Sequence, residues 1–295
     1  MLQNIFPHKM QNQYRNDRTP CAGDRVMVFY GKQVLVGIEQ GERGGSIDFP
    51  RVEELSGEGN LIYLFAVDEE VYFLFMGSSA NPKDLLNPSA YVENSYRFAD
   101  LKELREAQLQ PKYRLFAACT GKHLFDWYRD TCFCGRCGER MHHSVTERAM
   151  HCDVCGYTAY PRIMPAVIVG VINGDSLLLT KYKTGYNHNA LIAGFTEIGE
   201  TLEETVSREV MEEAGIRVKN IRYYKSQPWG IAGDILAGYY CEVDGDSTIK
   251  MDEGELKYAA WVKAEEIELQ PDDASLTNEM MKKFQDEHRG FAVID

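Results

Sequence analysis

The sequence predicts an α/β/α sandwich in the C-terminal half of the chain, and three observations carry that prediction. A continuous apolar run, Ala166 to Ile172, meets the turn residues Asn173-Gly174-Asp175 and a return run, Ser176 to Thr180, which together read as a β-hairpin. From Leu202 to Ala214 there is neither Pro nor Gly, and Val206, Val210 and Ala214 recur four apart, as on the buried face of a helix. Strand-like runs follow at Val218 to Tyr224, Ile235 to Val243 and Tyr258 to Val262, and Leu276 to His288 reads as a terminal helix. Strands around one long helix and a second terminal helix form a layered sandwich.

The whole chain has 295 residues, 44% hydrophobic and 26% charged, which gives room for two domains with cores and a small module between them. Its start, Met1 to Lys9, lacks the long apolar core of a signal peptide. No stretch approaches the ~20 apolar residues that span a bilayer. A cytoplasmic protein with no membrane segment is therefore expected. A net charge of −13 argues against broad, sequence-independent nucleic-acid binding, which needs Lys and Arg against phosphates. It leaves room for one nucleotide end held in a cleft where metal ions neutralise both parties.

In chain order, the first residues are polar and expected to be loosely held. Val26 to Tyr30 and Val34 to Val36 form a hairpin across Gly31-Lys32, and Leu61 to Val67 and Val71 to Met76 form another across Asp68-Glu69-Glu70. Residues 38 to 59 and 77 to 94 read as loops, and Phe98 to Leu109 and Tyr113 to Arg129 as helices. No catalytic residue types cluster in this region, so residues 1–129 read as a β-rich scaffold or dimerisation domain.

Residues 130–161 form a separate module. Cys134-Gly-Arg-Cys137-Gly and Cys152-Asp-Val-Cys155-Gly are two Cys-x-x-Cys knuckles with 14 residues between them. Four thiolates so spaced close tetrahedrally round a structural Zn²⁺, and Gly138 and Gly156 permit the tight turns. Two disulfides would need an oxidising compartment, and a redox Cys-x-x-Cys normally occurs once. Cys21, Cys119, Cys132 and Cys241 fall outside the spacing and read as ordinary thiols.

The remainder, 162–295, holds the stretch on which function turns. Gly194 and Gly199 mark a tight loop with Glu200 at its end, Thr201 and Glu204 form a capping box, and Gly215 stands at the helix C-cap. Glu209, Glu212 and Glu213 lie at i, i+3 and i+4 with Arg208 beside them. A solvated acidic face is the plainer reading of such a run. Converging carboxylates are also what hard cations such as Mg²⁺ or Mn²⁺ require. The spacing of Gly194, Glu200, Arg208, Glu209, Val210, Glu212, Glu213, Gly215 and Ile216 resembles the Nudix box at every fixed position. That resemblance implies a metal-dependent hydrolase of nucleoside diphosphates linked to another group.

The Cys pair directly before the box domain, Ser226-Gln227-Pro228-Trp229 after it, and the N-terminal region together resemble the NADH pyrophosphatase (NudC-type) family over nearly the whole chain. The resemblance implies a homodimer that splits NAD(H) into nicotinamide mononucleotide and AMP and removes NAD caps from RNA. Carried over by position, Glu209, Glu212, Glu213 and Glu255 hold the catalytic metals, with Glu212 or Glu213 as general base. Arg208 orients a neighbouring carboxylate, Phe195 stacks on nicotinamide with Tyr160 of the second subunit on the ring's far face, and Gln227 and Trp229 face the substrate. Packing roles for Phe195 and Tyr160 are the alternative. The family pattern continues with Pro-Phe-Pro and later a Ser, where this chain has Gly230-Ile231-Ala232 and then Asp234. A less constrained loop and weaker discrimination for NAD(H) are expected from that departure. Two other readings stand beside this one: a broader hydrolase of ADP-ribose, diadenosine or sugar nucleotides, and a non-catalytic zinc-ribbon binding module.

Overall fold

A computed structural model describes residues 1–39, 45–77, 81–93, 96–184 and 188–289. They form two compact units, one of Leu2–Arg162 with Gly230–Gly233, the other of Met1, Ile163–Trp229 and the chain from Asp234 onward.

The first unit is built largely on two small sheets. Gly59–Val67 and Glu70–Gly77 pair antiparallel across a turn at Asp68 (φ 51°), flanked by Met10–Gln11 on one side and Arg25–Met27 on the other. Phe29–Tyr30 pairs with Gln33–Glu39, so both expected hairpins are present. Segments read as loops contain short elements. Ser46–Asp48 pairs with Gln33–Glu39 and buries Ile47, and Pro82 and Pro88 each open a short helix, a position where a missing N–H is no loss. The helix expected from Phe98 starts later. Arg97–Asp100 is a strand on Gln33–Glu39, with Leu35 opposite Phe98, and the Asp100 carboxylate accepts from the Lys102 N–H to begin a helix at Leu101. Next comes α1 (Lys112–Asp130), which buries Leu124, Trp127 and Tyr128 as its apolar face requires. The Cys-rich segment adds three two-residue strands, His142–His143, Met150–His151 and Thr158–Ala159. Scaffold and Cys module, expected as separate parts, lie in one compact unit.

Residues 230–233 belong to this same unit. A Cβ on Gly230 would stand 2.3 Å from the Cys119 carbonyl oxygen of α1, so only glycine allows the backbones to approach so closely. The expectation of a loosely held Gly230-Ile231-Ala232 loop is corrected by this packing, because a proline ring does not fit at 230.

The second unit is a six-stranded sheet between helices. Its strands are β1 (Met164–Asn173), β2 (Ser176–Tyr182), β3 (Ile192–Phe195), β4 (Val218–Trp229), β5 (Asp234–Val243) and β6 (Leu256–Lys263). The order is β4-β5-β1-β2-β6, with β3 also on β1; β1 and β5 are parallel. The period of two in β1 sorts its side chains between two cores. Val167, Val169 and Val171 pack with Val206, Val210 and Ala214 of α2 (Leu202–Ala214). Ile168 packs on the opposite face with Leu276, Met280, Met281 and Phe284 of α3 (Leu276–Arg289). Val206 and Val210 are fully buried, each worth ~1.5–3 kcal/mol against exposure. The structure is thus an α/β/α sandwich preceded in sequence by the Cys ribbon and a β-rich region. β4 runs five residues past its expected end because it is an edge strand, where Pro228 loses no ladder bond. Among the described residues no helix is long and apolar enough to cross a membrane.

Candidate active site

The carboxylate helix begins and ends where its local chemistry dictates. Thr201 Oγ1 accepts from the Glu204 N–H at 3.2 Å while Glu204 accepts from the Thr201 N–H at 2.7 Å, and Gly215 closes α2 in the left-handed region (φ 68°). Between these caps, Glu209, Glu212 and Glu213 fall on one side of the helix. Glu213 is turned inward with 3% exposure, Glu209 is half-buried and Glu212 is exposed.

Arg208 organises the group. Its Nε and Nη2 donate to the two oxygens of Glu200 at 2.6 and 2.9 Å, a bidentate grip. Nη1 donates to Glu209 at 2.6 Å and to Glu212 at 3.0 Å, and Nη2 also reaches the Phe195 carbonyl at 2.8 Å. The guanidinium beside Glu200, helped by the Glu197 N–H, lowers the Glu200 carboxyl to about 2. Burial pushes Glu213 up to about 8, with the charges of Glu209 and Glu255 adding to the effect. Burial also raises Glu209, against the pull of Arg208. Three carboxylates around one arginine leave a surplus of negative charge.

That surplus fits divalent cations by donor type, since Mg²⁺ and Mn²⁺ take carboxylate oxygen. The backbone makes room for it: a Cβ on Gly194 would lie 1.9 Å from the Glu209 carboxyl carbon. Glu255 arrives on a loop tied to the end of α2, where Lys250 N–H donates to the Ala214 carbonyl at 2.8 Å and Asp252 N–H to the Glu213 carbonyl at 2.9 Å. Glu209, Glu212, Glu213, Arg208, Phe195 and Glu255 are therefore gathered on one unit. Phe195, at the end of β3, is 52% exposed and does not pack in the core.

Other expected site residues are placed differently. Gln227 has no exposed surface. Its amide nitrogen donates to the Ala274 carbonyl at 2.8 Å and its oxygen accepts from the Leu276 N–H at 2.6 Å, so it holds the start of α3 and presents nothing to a substrate. Trp229 is half-buried opposite Asp234 at the end of β4. Tyr160 is exposed on the other unit and donates to Glu147 at 3.0 Å. One residue that sequence reasoning missed is Tyr182. Its hydroxyl lies 3.4 Å from both oxygens of Glu213. The signal was available in parity, because Leu178, packed toward α2, and Tyr182 share one face of β2.

Cys134, Cys137, Cys152 and Cys155 place their sulfurs within 4.8 Å of one another. The closest pairs are 3.6 Å for Cys134–Cys155 and 3.5 Å for Cys137–Cys152, far beyond a disulfide bond and near the sulfur–sulfur edge of about 3.8 Å in a ZnS₄ tetrahedron. Among the described residues this is the one group of three or more Cys, His, Asp or Glu drawn so close. The glutamates share a face without closing that far, and Arg208 Nη1 bridges Glu209 and Glu212.

The family model for the NUDIX domain matches residues 162–284. NAD-capped RNA hydrolase NudC of Klebsiella pneumoniae subsp. pneumoniae is 36% identical over 197 residues, covering 66% of this chain and 76% of that protein. The protein of the same name from Salmonella heidelberg is 37% identical over 188 residues, covering 63% and 73%. A crystal structure of a NUDIX hydrolase from Nitrosomonas europaea superposes with a TM-score of 0.47 at 21% identity, covering 54% of this chain and 93% of that one. The NUDIX domain match and the two NudC relatives, both hydrolases, overturn the reading as a non-catalytic ribbon module. The chain belongs to the NudC family of Nudix hydrolases.

Proposed function

We propose that this protein hydrolyses the pyrophosphate of NAD(H) to nicotinamide mononucleotide and AMP, and acts likewise on NAD-capped RNA 5′ ends. The observation that carries the reading is the carboxylate face of α2, Glu209, Glu212 and Glu213, with the exposed Phe195 ring one residue from the glycine beneath Glu209. The names of the relatives supply the substrate class. Glu209, Glu212, Glu213 and Glu255 would hold Mg²⁺ or Mn²⁺, and the four cysteines one structural Zn²⁺ per chain. The bound cations supply positive charge to the pyrophosphate and acidify a water.

The chain's own residues do the rest. Arg208 fixes Glu200, Glu209 and Glu212 relative to the Phe195 backbone, so the carboxylates and the stretch of chain that carries the ring are tied together. Glu212, exposed and held on one oxygen, is placed to take the proton of the attacking water. Phe195 offers a flat face to nicotinamide, with Tyr160 of a second copy on the other side in a homodimer. Residues 1–129 serve as scaffold and dimerisation domain, 130–161 as zinc ribbon and 162–295 as the hydrolase, working in the cytoplasm. A broader action on ADP-ribose, diadenosine or sugar nucleotides is the second reading, favoured by the aliphatic Ile231 where the family has an aromatic and by the carboxylate of Asp234.

The test is kcat/KM for NADH and for ADP-ribose in wild type and in Phe195→Ala. Loss of a stacked ring costs about 1–3 kcal/mol by analogy with base stacking, so NADH should suffer and ADP-ribose, which lacks nicotinamide, should change little. Equal losses on both substrates would make Phe195 a packing residue.

A further inference from the structure

We propose that Tyr182 is a positioning residue for the carboxylate centre, holding Glu213 through its hydroxyl while the backbone beside it holds the segment that carries Glu255. The inference rests on the reading of these glutamates as metal ligands.

Tyr182 closes β2 on the face turned toward α2, two residues beyond the fully buried Thr180. Its hydroxyl is 3.4 Å from each oxygen of Glu213. One donor shared symmetrically between two acceptors makes two long bonds, and it fixes the carboxylate plane while leaving the outer lone pairs of both oxygens free for a cation. Glu213 has few other donors; the Ala193 N–H is one. A carboxylate with 3% exposure and so few partners needs each of them to keep its orientation.

The same point on β2 also controls Glu255. The β2–β6 register slips here, from Lys181 opposite Tyr258 to Tyr182 opposite Leu256, so β6 carries one extra residue, Lys257. Such a bulge re-aims the chain beside it. One residue on, the Lys183 N–H donates to the Glu255 carbonyl at 2.9 Å. Tyr182 and Lys183 thus tie a side chain from α2 to the backbone of the 252–256 segment, whose Asp252 N–H already binds the Glu213 carbonyl. Partners that orient metal-binding side chains typically change metal affinity 10–100-fold when removed.

The experiment measures the Mn²⁺ dissociation constant of substrate-free protein by electron paramagnetic resonance, for wild type, Tyr182→Phe and Glu213→Gln, with circular dichroism as the folding control. Tyr182→Phe keeps the ring and removes only the hydroxyl. Its dissociation constant should rise about 10-fold. Mn²⁺ binding unchanged in Tyr182→Phe but weakened in Glu213→Gln overturns the role of Tyr182 alone. A wild type that binds no Mn²⁺, or binds it equally well in Glu213→Gln, overturns the metal-centre reading and this inference with it.

Discussion

The Glu209 carboxylate lies directly against Gly194: a Cβ on the glycine would fall 1.9 Å from the carboxyl carbon of the glutamate. Glycine is needed at 194 because the Glu209 carboxylate lies directly on that backbone. In Gly194→Ala the Glu209 side chain must swing away from Arg208 Nη1, now 2.6 Å distant. Hydrolysis should fall at least ~10-fold with the fold retained, as for other changes that displace a metal-binding side chain. Wild-type turnover in Gly194→Ala, with an unchanged circular dichroism spectrum, would show that the position of Glu209 is immaterial.

The four-thiol cluster leads to a metal-removal prediction. Metal analysis of the purified protein should find about one zinc per chain, because four thiolates at this spacing close one tetrahedral site. Cys134→Ser or Cys152→Ser should lose that zinc and lower the melting temperature, since binding and local folding are coupled. Cys134 and Cys152 are both buried, so neither thiol can be lost without disturbing the packing of the knuckles. Recovery of a Cys134–Cys137 disulfide in metal-free protein would contradict the assignment.

Asp234 sets a pH dependence. Its carboxyl is 6% exposed, its Oδ1 has no hydrogen-bond partner, and burial raises it from the ordinary 3.8 to about 6. The folded state therefore favours the protonated form. Stability attributable to this group is highest below about pH 3.8 and declines as pH rises toward 6, a loss of up to about 3 kcal/mol. Asp234→Asn removes that decline. The melting temperature of the variant relative to wild type should be more favourable at pH 8 than at pH 4, and an identical difference at both values would mean the carboxyl is not strained by burial.

The parts of this molecule legible in the sequence are those held by near neighbours. Thr201, Glu204 and Gly215 bound α2 through contacts within three or four residues, and Asn173-Gly174-Asp175 folds β1 onto β2. The carboxylate face follows from helical spacing alone. What was not legible depends on partners far along the chain. Phe98 reads as helical until Leu35 is known to lie opposite it, and Gln227 reads as a substrate contact until α3 presents Ala274 and Leu276 to it. Gly230 reads as a loosened loop because nothing local reveals the Cys119 carbonyl of α1 against it. Tyr182 needed both the alternation of β2 and the inward turn of Glu213 to acquire a meaning.

On the proposed reading, the buried and half-buried glutamates of α2 are the catalytic centre of a metal-dependent pyrophosphohydrolase. The most direct test of that reading is the rate at which nicotinamide mononucleotide and AMP appear from NADH at saturating Mn²⁺, in wild type and in Glu213→Gln. The substitution keeps the shape of a side chain that is 3% exposed and removes its charge. Wild type should release product in a Mn²⁺-dependent way, and the variant should lose at least ~10²-fold with its fold intact. Near-normal turnover in Glu213→Gln, or wild-type hydrolysis indifferent to divalent metal, would contradict it.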